Sequence, residues 1–340
     1  MIITPSPKIP SVSVIIPNFN YARFLPARID SVLRQTFQDF ELILLDDAST
    51  DDSATVLSAY SHHPLVTHVV FNEKNSGNPF PQWMKGIRLA RGRYVWIAEA
   101  DDLAETTFLE TCVALCEAGK NVSFCFAGSK IVTETDAVSE KDINHWKHSG
   151  GLRAACFDGP QYARHNLYWK NYVINASAVL FSREAALRLA QSPFLAMRSC
   201  GDYLFWFEMA MQGKVIEVYE TLNRFRQHAG KVTNRQAAAG RGIEEDIRVL
   251  QLMEERLGEL PAYSKRLRRG MLWRKIDRSP ATSECKRQLQ ALLCRELGSD
   301  KADYRLERRN QWLRLLRPGL PTRRRERLDP RRDALTVFPE

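Results

Sequence analysis

Residues 11–45 read SVSVIIPNFNYARFLPARIDSVLRQTFQDFELILL, and this stretch decides the fold. It begins and ends with short apolar runs, at 11–16 and 40–45, which have the length of strands and stop at polar residues. Between them, the apolar residues of 25–33 recur at i, i+4, i+7 and i+8, which places them on one face of a helix. The pattern predicts a strand-helix-strand unit with two buried, parallel strands.

The same alternation continues beyond this unit. Helices are predicted near 52–60 and 82–90, and strands at 66–71 and 94–98. Strands that alternate with helices favour an α/β fold with a doubly wound, mostly parallel sheet, in which ligands bind at the carboxyl ends of the strands. We therefore expect the functional residues directly after Ile16, Leu45 and Ala98.

The second half of the chain has a different pattern. Residues 122–227 contain strand-like runs and a helix near 202–211, and the polar, weakly periodic stretch 133–171 is predicted to be a loop region. We interpret residues 236–317 as a basic helical extension and residues 318–340 as a flexible tail. Helices within the extension are predicted at 243–257, 263–276, 284–297 and 304–316.

Positive charge is concentrated at the C-terminal end. The net charge is +9, and residues 261–340 alone carry 22 Lys and Arg against 10 Asp and Glu. Such basicity is typical of a solvated helical surface, or of attraction to an anionic partner such as a cytoplasmic membrane leaflet or a lipid-linked phosphate. No nucleic-acid-binding motif accompanies the charge, so nucleic acid is not an expected partner.

The composition excludes several classes of protein. With 44% hydrophobic and 26% charged residues, the chain is typical of a globular protein rather than a disordered one. No apolar run has the ~20 residues that a membrane-spanning helix needs, and the first residues do not resemble a signal peptide. We therefore expect a cytoplasmic protein, or one that contacts the inner face of the membrane peripherally. The seven cysteines form no CxxC pair and are predicted to be buried thiols rather than disulfides or zinc ligands.

Two polar clusters follow the first two predicted strands. Pro17, Phe19 and Asn20 come after the first strand, where an aromatic ring and an amide can contact a flat base, or can merely form a turn and helix cap. Asp46 and Asp47 come after the second strand, where carboxylates can accept hydrogen bonds from a pyrimidine ring or a ribose. The hydroxyl and acidic residues that follow them can also cap the next helix.

Three carboxylates crowd the end of the fourth predicted strand. Glu99, Asp101 and Asp102 stand within four residues, and their mutual repulsion is costly unless a cation or hydrogen-bond donors compensate it. Mg²⁺ or Mn²⁺ fits this pattern, because either ion binds one or two carboxylates together with substrate phosphate oxygens. The alternative is that the two aspartates cap a helix predicted at 103–115.

Two further groups complete the candidate residues. Asp202 precedes a strongly apolar helix, where partial burial would raise the pKa of its carboxyl towards the range of a general base, although a helix cap is the competing interpretation. Arg224, Arg226 and Lys231 could neutralise a diphosphate. A neutral His228 imidazole could complete a metal shell or contact phosphate, although a lone histidine is more often structural.

Taken in chain order, these pieces resemble the family 2 glycosyltransferases of the GT-A fold. The resemblance covers about residues 11–232 and rests on the motifs VSVIIPNFN, ELILLDDASTDD, NEKNSG, ARGRYVWIAEADD, CGDYLFW and FRQH. It implies one continuous GT-A domain at 1–235, with a nucleotide-sugar-binding half at 11–120 and an acceptor half at 121–235. The weakly patterned stretch 133–171 would then lie on the acceptor side.

The resemblance implies a nucleotide-sugar site. Phe19 and Asp47 would hold the base and Asp101 the ribose, while Arg226 would lie near the diphosphate. UDP is the favoured nucleotide because it is frequent in the family. The full set of expected nucleotide-sugar-binding residues is Pro17, Phe19, Asn20, Asp46, Asp47, Glu99, Asp101 and Arg226.

The resemblance also implies the chemistry. Asp102 would bind a divalent cation, Mn²⁺ or Mg²⁺, that stabilises the leaving diphosphate. His228 would lie near the diphosphate, as a second metal ligand or as a contact to the phosphates. Asp202 would deprotonate a hydroxyl of a glycan or lipid-linked acceptor, and direct in-line displacement would invert the anomeric carbon. The expected enzyme is a hexosyltransferase of bacterial surface polysaccharide or lipopolysaccharide synthesis.

Three positions depart from the family pattern. Glu99 stands where the family more often has Asp, Gly201 where an acid often precedes the catalytic Asp, and Phe19 where Tyr is commoner. None of these changes removes an essential carboxylate. Gly201 leaves the assignment of the base to Asp202 alone.

Two other functions compete with this interpretation. A nucleotidyltransferase should have a glycine-rich loop after the first strand, and residues 17–21 contain no glycine. A non-catalytic module that binds a glycan or an anionic surface would be expected to lose an essential acid, and Asp101, Asp102 and Asp202 are all present.

Overall fold

The first half of the chain folds as alternating strands and helices. The computed structural model describes residues 9–144, 151–228, 241–316 and 327–339. Within the first of these ranges the strands are β1 (Val12–Asn18), β2 (Phe40–Asp46), β3 (Val66–Phe71), β4 (Tyr94–Ile97), β5 (Leu103–Ala104), β6 (Val122–Val132) and β7 (Val138–Asp142). The helices between them are α1 (Leu25–Leu33), α2 (Ser53–Ala59), α3 (Pro79–Leu89) and α4 (Phe108–Gly119).

The second half adds further strands and then a group of long helices. Its strands are β8 (Leu152–Phe157), β9 (Val179–Ser182), β10 (Lys214–Arg226) and β11 (Thr336–Pro339). Between them lie helices α5 (Gly159–Tyr162), α6 (Arg183–Leu187) and α7 (Gly201–Ala210), a π-helical turn at Ala163–Leu167 and 3-10 turns at Ala176–Ala178 and Pro193–Ala196. The long helices are α8 (Arg241–Leu257), α9 (Ala262–Arg278), α10 (Ser283–Leu297) and α11 (Lys301–Leu316).

All of these strands join one sheet. Its order is β11-β8-β10-β6-β9-β4-β1-β2-β3, with β5 paired to β10 and β7 paired to β6. Strands β3, β2, β1 and β4 are parallel neighbours, whereas β9 runs antiparallel between β4 and β6. Because β10 pairs parallel to β6, it has the same direction as β4. The carboxyl ends of β1, β2, β4 and β10 therefore lie along the same edge.

Apolar side chains cover both faces of the sheet. On one face Ile15 and Trp206 belong to a buried cluster that includes α3 and α7. On the other face Val14 packs in a second cluster with Ile29 of α1 and Phe108 of α4. Burial on both faces explains why the first strands are continuous apolar runs, since successive side chains point to opposite sides.

The α/β arrangement is confirmed over the described residues, and local predictions differ in three places. The stretch 133–171 is not a loop throughout, because it contains β7, β8 and α5. The helix expected at 103–115 begins only at Phe108, since Leu103 and Ala104 pair with β10 instead. The tail expected at 318–340 contains β11, which pairs antiparallel with β8, while residues 317–326 lie outside the described ranges.

The C-terminal helices form where the periodicity predicts them. In the parts of the chain that the structure describes, no helix combines the length and the apolar character that crossing a membrane requires. The seven cysteines are free thiols, and the prediction of burial holds for four of them: Cys112, Cys116, Cys125 and Cys156.

Candidate active site

Polar residues from parallel strands meet at one edge of the sheet. Strands β1, β2 and β10 end there at Asn18, Asp46 and Arg226, and β4 ends there just before Glu99. This is the edge at which the sequence predicts ligand binding. The candidate residues described below, except Asp202, follow or end these strands.

Asp46 joins the first two strand ends. Its Oδ1 accepts hydrogen bonds from Asn18 Nδ2 at 2.7 Å and from Ser49 Oγ at 2.6 Å, and its Oδ2 accepts from the Ser49 backbone N–H at 2.9 Å. Asn20 and Ala48 both have a φ of 59°, which residues other than glycine rarely adopt. These contacts fix the shape of the loops that follow β1 and β2.

Asp47 is enclosed by donors from a later part of the chain. Its Oδ1 accepts from Asn72 Nδ2 at 2.6 Å and from Gln82 Nε2 at 2.8 Å. Its Oδ2 accepts from Ser76 Oγ at 2.7 Å, and the Ser76 backbone N–H lies 3.0 Å from both oxygens. Asp47 therefore orders the loop that carries the NEKNSG motif, a role that the sequence analysis did not predict.

Phe19 presents an open aromatic ring beside these loops. It is 44% exposed, although the preceding Asn18 is buried. A flat, accessible ring can stack on a nucleotide base. Asn20 is occupied with the protein, since its Oδ1 accepts from the Thr50 backbone N–H at 2.7 Å, and Pro17 is buried inside β1.

Glu99 stands at the end of β4 with its carboxyl enclosed. Trp83 Nε1 donates to its Oε1 at 2.8 Å, and its backbone N–H donates to Ser177 Oγ at 3.1 Å. Burial, together with the negative charges of Asp101 and Asp102, raises the pKa of Glu99 to about 8. The acidic cluster without a cation therefore does not carry three full charges at neutral pH.

Asp102 is fixed inside the protein. It is 2% exposed, and its Oδ1 accepts from the Arg226 backbone N–H at 2.9 Å. Its Oδ2 accepts from Asn175 Nδ2 and from Ser177 Oγ, each at 2.7 Å. Because helix α4 begins six residues later at Phe108, the alternative that Asp102 caps that helix is excluded. Asp102 instead ties the end of β4 to β10 and to the turn at 175–177.

Asp101 pairs with His228, which follows the end of β10. Its Oδ2 lies 3.0 Å from His228 Nε2. The imidazole is enclosed by the rings of Tyr21 and Phe24, with centroid distances of 5.4 and 5.5 Å. His228 Nδ1 is buried and has no hydrogen-bond partner within the described ranges. The Asp101 carboxylate and the facing Nε2 of His228 are both donor types that a divalent cation can bind, and their 3.0 Å separation lets one ion contact both.

A divalent cation would fit at Asp101 and His228 with help from its substrate. Over the residues that the structure describes, no three His, Cys, Asp or Glu side chains converge into a metal site. Mg²⁺ and Mn²⁺ need only one or two protein ligands when phosphate oxygens and water complete the shell. Asp102, the predicted ligand, faces protein donors, so the geometry favours Asp101 over it.

The Arg226 guanidinium binds protein acceptors on neighbouring loops. Its Nε donates to the carbonyl of Asp101 at 2.6 Å, its Nη1 to the carbonyl of Thr133 at 2.9 Å, and its Nη2 to the carboxylate of Asp136 at 2.6 Å. All three guanidinium nitrogens thus donate to protein acceptors. The prediction that Arg226 contacts the diphosphate is not supported by this arrangement, because the side chain is buried and already engaged.

Arg224, a second predicted cation, is also engaged with a protein group. Arg224 forms an ion pair with Glu105 at 2.9 Å. Lys231 lies outside the described residues.

A buried cation that the sequence analysis did not predict, Arg28, lies close to Glu99, Asp101 and Asp102. Arg28 of α1 is completely buried, with its guanidinium 4.8 Å from the centre of the Trp96 ring. Burial lowers its pKa to about 10, opposed mainly by the charge of Asp102. The helical stripe that predicted α1 rests on apolar residues and carries no signal for a buried arginine.

Asp202 lies in the first turn of α7, with Cys200 at the N-cap, so it does not cap the helix. Its Oδ2 accepts from Asn171 Nδ2 at 3.3 Å. Burial of the carboxyl raises the pKa of Asp202 to about 6, although the hydrogen bonds from the Tyr203 backbone and from Asn171 oppose the shift. The carboxyl borders a cleft of about 830 Å³.

One short segment connects the two acidic groups. Asn171 contacts Asp202, and Asn175, four residues later, contacts Asp102. Four residues span at most about 14 Å, which limits how far apart Asp202 and the carboxyl end of β4 can lie. Neither asparagine was singled out by the sequence, because this stretch has weak periodicity.

Comparison with known families identifies relatives. The chain matches the family model described as Glycosyl transferase family 2 over residues 13–188, more than half of its length. It is 27% identical over 204 residues to TuaG of Bacillus subtilis (strain 168), a glycosyltransferase named for teichuronic acid biosynthesis, covering 60% of this chain and 73% of TuaG. It is 33% identical over 100 residues to the glycosyltransferase GlyG of Streptococcus pneumoniae, covering 29% of this chain and 33% of GlyG.

Solved structures share the fold. S. aureus TarS 1–349 in complex with UDP-GlcNAc superposes with a TM-score of 0.60 at 15% identity, covering 79% of this chain and 73% of that chain. The mannosyltransferase PcManGT of Pyrobaculum calidifontis, in complex with GDP-Man and Mn²⁺, gives 0.54 at 18% identity, covering 92% and 82%. The expected GT-A fold is thereby confirmed, and C-terminal helices accompany it.

Proposed function

The chain belongs to glycosyltransferase family 2 and is a transferase, and from this premise we propose that it moves a sugar from a nucleotide diphosphate to an acceptor hydroxyl with inversion. UDP is the favoured nucleotide, and a glycan or lipid-linked molecule the acceptor. The observation that carries the proposal is the pairing of Asp101 with His228 at 3.0 Å, at the edge of the sheet where Phe19 is exposed.

On the donor side, Phe19 stacks on the base. Asp46 and Asp47 act indirectly, by holding the loops around that ring, since both carboxylates accept hydrogen bonds from protein groups. The ribose and diphosphate then lie over the ends of β1 and β4. This division of roles differs from a direct contact between Asp47 and the base.

Asp101 and His228 are the residues that would hold the divalent cation. When bound, Mn²⁺ or Mg²⁺ supplies positive charge that stabilises the leaving diphosphate. The 3.0 Å approach of His228 Nε2 to the Asp101 carboxylate supports this assignment. Asp102 and Arg226 position the ligands, because they fix the loop that carries Asp101.

On the acceptor side, Asp202 is the general base. The acceptor oxygen forms its bond to the anomeric carbon as the bond from that carbon to the diphosphate oxygen breaks. The diphosphate leaves with the electron pair, and Asp202 takes the hydroxyl proton. A pKa of about 6 leaves Asp202 ionised at neutral pH and still basic enough to accept that proton.

The biological setting follows from the relatives. TuaG is named for teichuronic acid biosynthesis, which supports a role for this chain in making a bacterial surface polysaccharide. Such synthesis uses cytoplasmic donors, so we place the protein at the inner face of the membrane.

A panel of nucleotide-sugars tests the proposal by thermal shift, with and without Mn²⁺. One diphosphate donor is expected to raise Tm only when the metal is present, since a ligand that binds the native state alone stabilises it. Indifference to every donor would instead favour a non-catalytic module that binds a glycan or an anionic surface.

A further inference from the structure

We propose that the acceptor carries a negatively charged group, a phosphate or a carboxylate, which binds in the cleft between Asp202 and helix α9. This inference rests on the proposed function, because it takes Asp202 as the base that meets the acceptor hydroxyl. It gives the C-terminal helices a role in substrate binding.

The cleft has the size and the charge for such a ligand. Its volume of about 830 Å³ lies within the range of about 300–1,000 Å³ that small-molecule sites occupy. Five cationic side chains and two carboxylates line it, an excess of three positive charges. The cations are Lys170, Arg268, Arg274, Lys275 and Arg278, and the carboxylates are Asp202 and Asp246.

Two of these cations are best placed to meet a ligand. Lys275 pairs with Asp246 yet keeps 55% of its side chain exposed. Arg278 is exposed at the end of α9, and the described residues give it no carboxylate partner. Arg268, by contrast, is buried and donates to a backbone carbonyl, and Arg274 is paired with Glu307 at 3.5 Å.

Helix α8 fixes this cleft relative to the base. Glu245 accepts hydrogen bonds from the backbone N–H groups of Arg198 and Ser199, each at 2.7 Å, and of Cys200 at 2.8 Å. These three residues lead directly into the first turn of α7, which carries Asp202. An anion held by Lys275 or Arg278 would therefore be held at a set position from the base.

The concave shape favours an acceptor over a membrane surface. Asp202 and Asn171 line the same space as Lys275 and Arg278, so the ligand of these cations also meets the base. A flat layer of lipid headgroups would first meet exposed residues outside the cleft, such as Arg287 and Arg295 of α10. An excess of positive charge in a cleft also attracts anions from solution.

Small probes test the proposal in the full chain by NMR titration, with UDP and the diamagnetic ion Mg²⁺ present to occupy the donor site. Glycerol 1-phosphate and methyl glucuronide are compared with glycerol and methyl glucoside, and the tighter of the two anions identifies the phosphate or the carboxylate. We expect the preferred anion to bind at least about fivefold more tightly than its neutral counterpart. The double variant Lys275→Gln/Arg278→Gln should lose about tenfold in affinity for that anion, since hydrogen bonds to charged groups are strong.

The matched control is Arg287→Gln/Arg295→Gln, which removes two charges from side chains that are 69% and 70% exposed on α10. It should bind the anions as the wild type does. Equal affinity for neutral and anionic probes, or unchanged anion binding in the Lys275/Arg278 variant, would overturn the proposal. The proposal would also be overturned if the Lys275/Arg278 variant lost its association with phosphatidylserine vesicles and still bound the small anions as the wild type does. Failure of the donor chemistry would appear separately, as absent Mn²⁺-dependent UDP binding with anion binding intact.

Discussion

Oδ2 of Asp101 lies 3.0 Å from Nε2 of His228, although 127 positions separate the two residues in the chain. The contact exists because β4 and β10 run in the same direction and end at the same edge of the sheet. The neighbouring Asp102 is turned away into three protein hydrogen bonds. In the proposed mechanism the adjacent aspartates therefore have different roles: Asp101 binds the cation and Asp102 stabilises the fold around it.

The different roles predict different effects on stability. Asp102→Asn would place an amide N–H₂ against donors such as Asn175 Nδ2, so it should lower the free energy of unfolding by about 2 kcal/mol or more without metal. Asp101→Asn should cost less, because a carboxamide can still hydrogen-bond to Nε2 of His228. Denaturant unfolding in EDTA measures both. An Asp102→Asn protein as stable as the wild type would contradict the positioning role.

Removing the exposed ring should weaken nucleotide binding. Phe19→Ala is expected to reduce the affinity for the nucleotide by about tenfold, since stacking of a base on an aromatic ring contributes roughly 1–3 kcal/mol. Phe19→Tyr keeps the ring and should bind as the wild type does. Isothermal titration with UDP and Mn²⁺ distinguishes them, and equal affinities for all three proteins would remove Phe19 from the site.

Loss of the base should separate binding from transfer. Asp202→Asn is expected to bind the donor normally and to transfer sugar at least about 100-fold more slowly, the range for losing a general base. Glu208→Gln is a suitable control, because Glu208 lies on the same helix, pairs with Ser192 and Arg256, and takes no part in the proposed chemistry. Turnover by Asp202→Asn at the wild-type rate would remove the residue from its role.

The raised pKa of Asp202 predicts the acid limb of the pH profile. The base acts only when ionised, so kcat/KM should fall about tenfold per pH unit below pH 6 and level off above it. The same raised pKa lowers the stability of the folded protein at high pH, where Asp202 is ionised. Since burial disfavours the ionised form, Asp202→Asn should raise Tm at pH 8 and raise it less at pH 5. An acid limb centred near pH 4 would contradict the assignment.

The sequence predicts the sheet and the position of its acids for a clear physical reason. Buried parallel strands such as β1 and β2 are apolar on both faces, and the polar residues that end them are visible in the chain. The α/β sheet and the position of Glu99, Asp101 and Asp102 at one strand end follow from that pattern, whereas the GT-A fold was implied by the resemblance of the motifs to a family.

What the sequence could not predict depends on contacts across the fold. Hydrogen bonds from Asn175, Ser177 and the Arg226 backbone hold Asp102 in place. The periodicity of the sequence does not show that these groups contact Asp102 rather than Asp101. Likewise, the excess of basic residues in 261–340 gives only a total charge. It does not show that Lys275 and Arg278 line the same cleft as Asp202. The composition of residues 318–340 favoured a flexible tail, but β11 within this segment pairs with β8.

The most direct test is the affinity for UDP with Mn²⁺ and with EDTA, measured by titration calorimetry on the wild type, Asp101→Asn and His228→Ala. The wild type should bind at least about tenfold more tightly with Mn²⁺, and both variants should lose that gain while keeping the weak, metal-independent binding. Wild-type binding that EDTA leaves unchanged, or variants that retain the full effect of Mn²⁺, would contradict a cation held between Asp101 and His228.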